Sequence, residues 1–150
     1  MSMSLFQVYA HLTFSTRNRV RWLDDSIRER VHGYLAAMVR DIGTPFVVVG
    51  GPEDHVHMLY LLPKEAVPVD LVAHVKRESS RFVKTLGGAY GEFAWQRGYG
   101  MFSVGPSRVD AVESYIRRQV EHHRTVSFQD EFRAFLKKYK VPYDERYLWD

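Results

Sequence analysis

"GPEDHVHMLYLLP", residues 51–63, is the stretch on which the fold turns. Gly-Pro-Glu-Asp is a turn by composition. The run that follows, His55 to Leu62, is short and apolar and is stopped by Pro63, which favours a strand over a helix. Alternate side chains of a strand share a face, so His55 and His57 project together with α-carbons roughly 6.5–7 Å apart. Val56 then points the other way, into the core. A helix would aim the two imidazoles about 200° apart. On a strand the pair can converge on one cation. With seven histidines in the chain, however, such a pair is common, and two ligands alone do not make a tight site. Asp54 adjoins the motif, but alternation puts its side chain on the Val56 side, so it is not expected as a ligand.

Working outward from this strand, residues 44–50 ("TPFVVVG") form a β-branched strand before it, and residues 5–14 alternate as a first strand rich in aromatics. A basic loop, "RNRVRW", separates that strand from a helix over residues 23–43. Asp24 or Asp25 is a candidate cap for this helix, and Gly43 stops it. Residues 69–88 read as a second helix closed by Gly87 and Gly88, and residues 93–104 as one or two short strands with a glycine-bearing kink. Residues 107–124 read as a third helix capped by Ser107 with Asp110 three residues on, and residues 127–140 as a fourth capped by Ser127. The order is β-α-β-β-α-β with additional C-terminal helices. It predicts an α+β, ferredoxin-like antiparallel sheet with helices on one face, built as a single domain over residues 1–150. That fold hosts many activities.

Composition narrows the function classes. The 150 residues suffice for one sizeable core, and 45% hydrophobic with 26% charged residues is ordinary for a soluble globular protein. Cysteine is absent, which excludes disulfides and thiolate metal sites and fits a reducing cytoplasm. No apolar run is long enough to span a membrane, and the N-terminus lacks the pattern of a signal peptide. The net charge of +3 is compatible with a polyanionic partner without pointing to one.

The third helix carries "SYIRRQVEHH". Tyr115 and Gln119 are four residues apart and share a helix face. A phenol is a candidate nucleophile, and a neutral amide oxygen is a candidate metal ligand. The spacing alone is also that of an ordinary amphipathic helix with a half-buried tyrosine.

Taken together, "HVH" after a turn, "YIRRQ" followed by "EHH", "HLTFSTRNR" at 11–19, "WQRGYGMFSV" at 95–104 and the closing "YDERYLW" resemble the HUH-type single-tyrosine transposases. These are the small transposases of single-strand insertion sequences and their relatives associated with repetitive extragenic palindromes. The resemblance covers nearly the whole chain. It implies that Tyr115 is the nucleophile and that His55, His57 and Gln119 ligate a divalent metal, Mg²⁺ in use with Mn²⁺ as a good substitute. It also implies a DNA transposase, a single-stranded DNA endonuclease and strand-transferase that works beside hairpin or palindromic ends through a 5′-phosphotyrosine, in the cytoplasm. A homodimer, with the tyrosine helix of one subunit serving the other's histidines, is the state that the resemblance implies for mobile members.

Candidate phosphate contacts are Arg17, Arg19 and Arg21 in the first loop and Lys76, Arg77, Arg81 and Lys84 on the second helix, where a solvated face is an equal reading for each. Tyr99, Phe102, Tyr147 and Trp149 are candidates for base stacking, and more often such residues are core or interface. His122 and His123, one turn past Gln119, are candidate supports for the site. The rival readings are a non-mobile hairpin-binding protein of the same family and a small metal-dependent hydrolase.

Overall fold

The computed structural model describes residues 2–150. Four strands form one antiparallel sheet in the order β2-β3-β1-β4, with β1 at Tyr9–Ser15, β2 at Val47–Gly50, β3 at His55–Leu61 and β4 at Gly100–Val104. Helices are α1 (Arg28–Asp41), α2 (Pro68–Lys84), α3 (Val109–Arg117), α4 (Gln119–His122) and α5 (Phe128–Lys138). This is the α+β, ferredoxin-like order read from the sequence, with the C-terminal helices as additions. No helix of the described residues is long and apolar enough to cross a membrane.

The sheet is covered on both faces rather than one, and the strand register shows why. Leu12, Phe14, Val56, Met58 and Tyr60 point to one face, where they are fully buried with Val31 and Leu35 of α1 and Val75 and Val83 of α2. Each such side chain contributes about 1.5–3 kcal/mol by leaving water, so this face supplies most of the folding energy. The other face is mixed. His57 lies opposite Thr13 on β1 and Gly50 on β2, and His55 lies opposite Ser15. Around these polar positions, Ile116 of α3 packs with Val48, Leu59 and Val104. Phe128, Phe132 and Leu136 of α5 pack with Phe102.

Two glycines admit these helices. A Cβ on Gly50 would stand 2.5 Å from the Ile116 carbonyl oxygen, and one on Gly100 would stand 2.4 Å from the Phe132 ring. Neither position can take a side chain unless the facing helix shifts.

Several local readings shift. β1 starts at Tyr9 rather than near residue 5, and residues 93–104 give one bridge, Thr16 to Trp95, followed by β4. α1 begins at Arg28, after a turn in which the Asp24 carboxylate accepts from the Ser26 N–H and hydroxyl and from the Tyr90 hydroxyl, and no side chain bonds to the N-terminal N–H groups of α1 itself. Ser107 lies inside a 3₁₀ turn, Pro106–Arg108, and makes no cap bond to α3. Ser127 does cap α5, accepting from the Asp130 N–H at 3.1 Å. The third helix is two, broken at Arg118 (φ −103°, ψ 19°).

Candidate active site

β3 puts His55 and His57 on the mixed face, and both are 0% exposed. Each Nδ1 is engaged. His55 Nδ1 meets Asp54 Oδ1 at 2.7 Å, and His57 Nδ1 meets His11 Nε2 on β1 at 2.8 Å. The Asp54 side chain therefore does reach the histidines, contrary to the alternation argument. It stands one residue before β3 begins, where strand periodicity no longer governs. Its role is to orient His55, as such partners orient the imidazoles of metal sites.

With the Nδ1 atoms engaged, both Nε2 atoms face one point. There α5 supplies Glu131, 4% exposed, whose Oε1 lies 2.8 Å from His57 Nε2 and 3.5 Å from His55 Nε2. α4 and the loop after it supply Gln119 and His123. Gln119 Oε1 is 3.3 Å from His55 Nε2, and His123 Nε2 is 3.0 Å from His55 Nε2 and 2.9 Å from Glu131 Oε2. Ligand atoms of His55, His57, His123 and Glu131 all lie within 4.8 Å of one another. Imidazole and carboxylate donors this close, screened from water, are chemically suited to a divalent cation.

Tyr115 reaches the same cluster. Its hydroxyl donates to Glu131 Oε2, lies 3.2 Å from His122 Nε2, and its ring centroid is 5.8 Å from that of His57. So the structure brings together His55, His57, Gln119 and Tyr115, and the break at Arg118 turns Gln119 toward His55 while Tyr115 turns toward Glu131.

The electrostatics follow from burial and this one carboxylate. Burial would raise the Glu131 pKa, but His57, His123 and His55 outweigh it and hold the group far below the usual carboxylate range. Burial would lower His55, yet Asp54 and Glu131 keep it above the ordinary imidazole value. His57 and His11 are lowered, chiefly by burial, His11 to about 3. Burial, then the Glu131 charge, push the Tyr115 phenol up, so it carries its proton at neutral pH.

Two clefts open on the cluster. One of 690 Å³ is lined by Arg19, Arg21, Arg28 and Arg124 and ends at Asp54 and His123. The other, 390 Å³, runs past Tyr115, Glu131 and His122 between Arg108, Arg118 and Lys138. Of the expected phosphate contacts, Arg19 and Arg21 border the first cleft, and Arg17 is exposed on the adjoining turn. Arg77, Arg81 and Lys84 are exposed on α2, across the sheet from the histidines. Lys76 is spent elsewhere, because its ammonium donates to the carbonyls of Gln96, Arg97 and Gly98 at 2.5–3.0 Å. Partial burial lowers its pKa to about 8. Phe102 is buried against Tyr139 and Phe132 and is not free to stack on a base, whereas Trp149 packs on Phe128 and Phe132 and stays half-buried. Tyr99 and Tyr147 are exposed.

Glu131, His11 and the orienting role of Asp54 were not anticipated from the sequence. Glu131 had a signal, since it occupies the apolar stripe of α5 with Phe128, Phe132 and Leu136, where a carboxylate needs a partner.

Comparisons with known proteins bear on the fold and the family. Residues 4–119 match the family described as "Transposase IS200 like". Among solved structures, a proposed transposase of Deinococcus radiodurans R1 aligns with a TM-score of 0.62 at 21% identity, covering 79% of this chain and 98% of that one. A REP-associated tyrosine transposase bound to a REP hairpin aligns with a TM-score of 0.59 at 14% identity, covering 84% and 76%. At those identities both likenesses are of fold. Among the curated proteins, none is similar enough in sequence to count as a match. With more than three-quarters of its length matched, the chain belongs to the IS200-like transposase family.

Proposed function

We propose that this transposase cleaves and rejoins single-stranded DNA beside hairpin ends, with Tyr115 as the nucleophile and a divalent cation, Mg²⁺ or Mn²⁺, held by His55, His57 and Gln119. The observation that carries the reading is the Tyr115 hydroxyl donating to a carboxylate that also touches His57, so that nucleophile and ligands share one buried centre. Hairpin ends are the substrate class because the REP-associated relative of this fold is bound to a hairpin.

The chain's own groups divide the work. Glu131 Oε2 holds the Tyr115 hydroxyl in place, and His122 Nε2, 3.2 Å away, accepts the phenol proton as the oxygen attacks the phosphorus. The P–O bond to the 3′ oxygen breaks, the sugar leaves as a free 3′-hydroxyl once protonated, and the 5′ side stays on Tyr115 as a phosphodiester. A phenol ionises more readily than a sugar hydroxyl and so is the better leaving group, and at Tyr115, whose phenol burial and the Glu131 charge push up, attack requires removal of its proton. Attack by another 3′-hydroxyl reverses the step, and no external energy source is needed. The cation, when bound, polarises a non-bridging phosphate oxygen and lowers the cost of the charge that develops there. Asp54 and His11 hold the His55 and His57 rings in one orientation. α4 and α5 cover the centre, and the two clefts lead to it. Arg19 and Arg21 guide the strand along the cleft that ends at His123.

The test is covalent. A radiolabelled hairpin-bearing oligonucleotide incubated with the protein and Mn²⁺ should give an adduct stable on a denaturing gel. Tyr115→Phe should abolish it and leave strand binding intact. An adduct that survives the substitution overturns the assignment.

A further inference from the structure

We propose that His123 and Glu131 are metal ligands in their own right, joining His55, His57 and Gln119 in a centre of three histidines, one carboxylate and one amide that selects a first-row transition cation over Mg²⁺ and fills without DNA. This rests on the reading above in taking His55 and His57 as ligands. It goes beyond that reading by adding two ligands from the segment past residue 119, outside the stretch that matches the family.

The argument is an accounting of donors and acceptors. His123 Nδ1 lies against the Val126 carbonyl oxygen and His55 Nδ1 against the Asp54 carboxylate. Both partners only accept, so both Nδ1 atoms carry the hydrogen, and Nε2 is the ring atom left to meet a cation or, without one, a proton. Those two Nε2 atoms are 3.0 Å apart. The atoms around them are acceptors again, Glu131 Oε2 at 2.9 Å from His123 and Gln119 Oε1 at 3.3 Å from His55. The ligand atoms of His55, His57, His123 and Glu131 thus gather within 4.8 Å of one another around one point. A cation shared among them satisfies all of them at once, as buried acceptors require.

The donor set fixes the kind of cation. Mg²⁺ demands oxygen ligands and keeps several waters, whereas three imidazoles with one carboxylate suit Mn²⁺, Co²⁺ or Zn²⁺. His123 is held for the task by the Val126 carbonyl, and Glu131 by its place on the buried face of α5.

The experiment titrates Co²⁺ into chelator-treated, full-length protein without DNA and follows its visible absorption. Wild type and Tyr115→Phe should bind one Co²⁺, and a millimolar excess of Mg²⁺ should not displace it. The near-isosteric Glu131→Gln and, separately, His123→Asn should each weaken binding by at least ~10-fold, with circular dichroism showing that both are folded. Two variants guard against one failing to fold. If wild type binds Co²⁺ and both folded variants bind it equally well, the two added ligands are refuted while the His55–His57 reading stands. If Mg²⁺ at equal concentration displaces Co²⁺, the selectivity is refuted. If wild type binds none of Co²⁺, Mn²⁺ and Mg²⁺, the metal reading itself falls.

Discussion

Gly50→Ala tests whether the seating of α3 on the sheet sets the reactivity of Tyr115. Gly50 ends β2 opposite His57, and α3 crosses above it. An alanine Cβ would stand 2.5 Å from the Ile116 carbonyl oxygen, 2.8 Å from its Cγ2 and 3.2 Å from its carbonyl carbon. The nearest obstacle is backbone, so no rotamer change relieves it. Ordinary contact would require the helix to retreat by ~0.9 Å, on the scale of van der Waals separations. Overpacking of this kind costs about 1–3 kcal/mol. Tyr115 precedes Ile116 and moves with it, away from Glu131. A displacement near 1 Å at a reacting group costs about 10²-fold in rate. Urea denaturation should show the stability loss, and single-turnover adduct formation at saturating oligonucleotide, at a temperature where the variant is folded, should show the rate loss. Gly33→Ala is the control. Gly33 is exposed within α1 with nothing inside 4 Å of an added Cβ, so that change should stabilise by about 0.5–1 kcal/mol and leave the rate alone. An adduct rate for Gly50→Ala within threefold of wild type, alongside the expected destabilisation, would refute the claim that this contact positions the nucleophile.

Lys76→Met should cost about 1–3 kcal/mol in chemical denaturation, because three carbonyls lose their donor, and should leave the salt dependence of strand binding unchanged. A reduced salt slope with unaltered stability would return Lys76 to the phosphate contacts. Arg21→Ala, at the cleft that ends at His123, should lower the slope of log affinity against log salt by ~0.7, whereas Arg81→Ala on the far side of the sheet should not; the opposite result would place the strand on α2. His32 is held at about 4, chiefly by burial and then by Arg28. Its folded-state pKa is below the unfolded value, so its contribution is present above about 6.5 and is lost as pH falls toward 4, at roughly 1.4 kcal/mol per unit. His32→Gln should remove that slope from a stability-against-pH curve measured with chelator present. An unaltered slope would show that His32 does not titrate with folding.

What could be read in the chain, and what could not, divides by the range of the interaction. The strand His55–Leu61, its outward histidines and its inward Val56 follow from period-two alternation and a flanking turn, which are local. The apolar stripes of α1, α2 and α5 are likewise local. Tyr115 and Gln119 were assigned on helical spacing and family resemblance. Both sit at the cluster, although the helix breaks between them. The break could not have been foreseen, because nothing in "IRRQV" forbids a continuous helix. The surroundings of Lys76 and Phe102 were illegible for one reason. A basic residue on a helix and an aromatic on a strand look available until the loop 96–98 or α5 takes them. Glu131 lies 74 residues from His57, and only the packing of α5 over β3 puts them together.

The two faces of the sheet do different work, and that division explains how a cluster of buried ionisable groups is tolerated. Removing one partner from a buried charge network costs several kcal/mol, so a site like this can exist only where stability comes from elsewhere. The α1–α2 face supplies it with an apolar core that contains none of the site's groups. The opposite face is then free to carry His11, Thr13, Ser15, His55 and His57, small or polar residues that make a poor core but a well-oriented site. What seals that face is α5, whose Phe128 and Phe132 displace water while its Glu131 satisfies the histidines. α5 lies wholly outside the segment matched to the family. The strands, α3 and α4 thus bring His55, His57, Tyr115 and Gln119 together, and the C-terminal helix covers them and adds the Glu131 carboxylate.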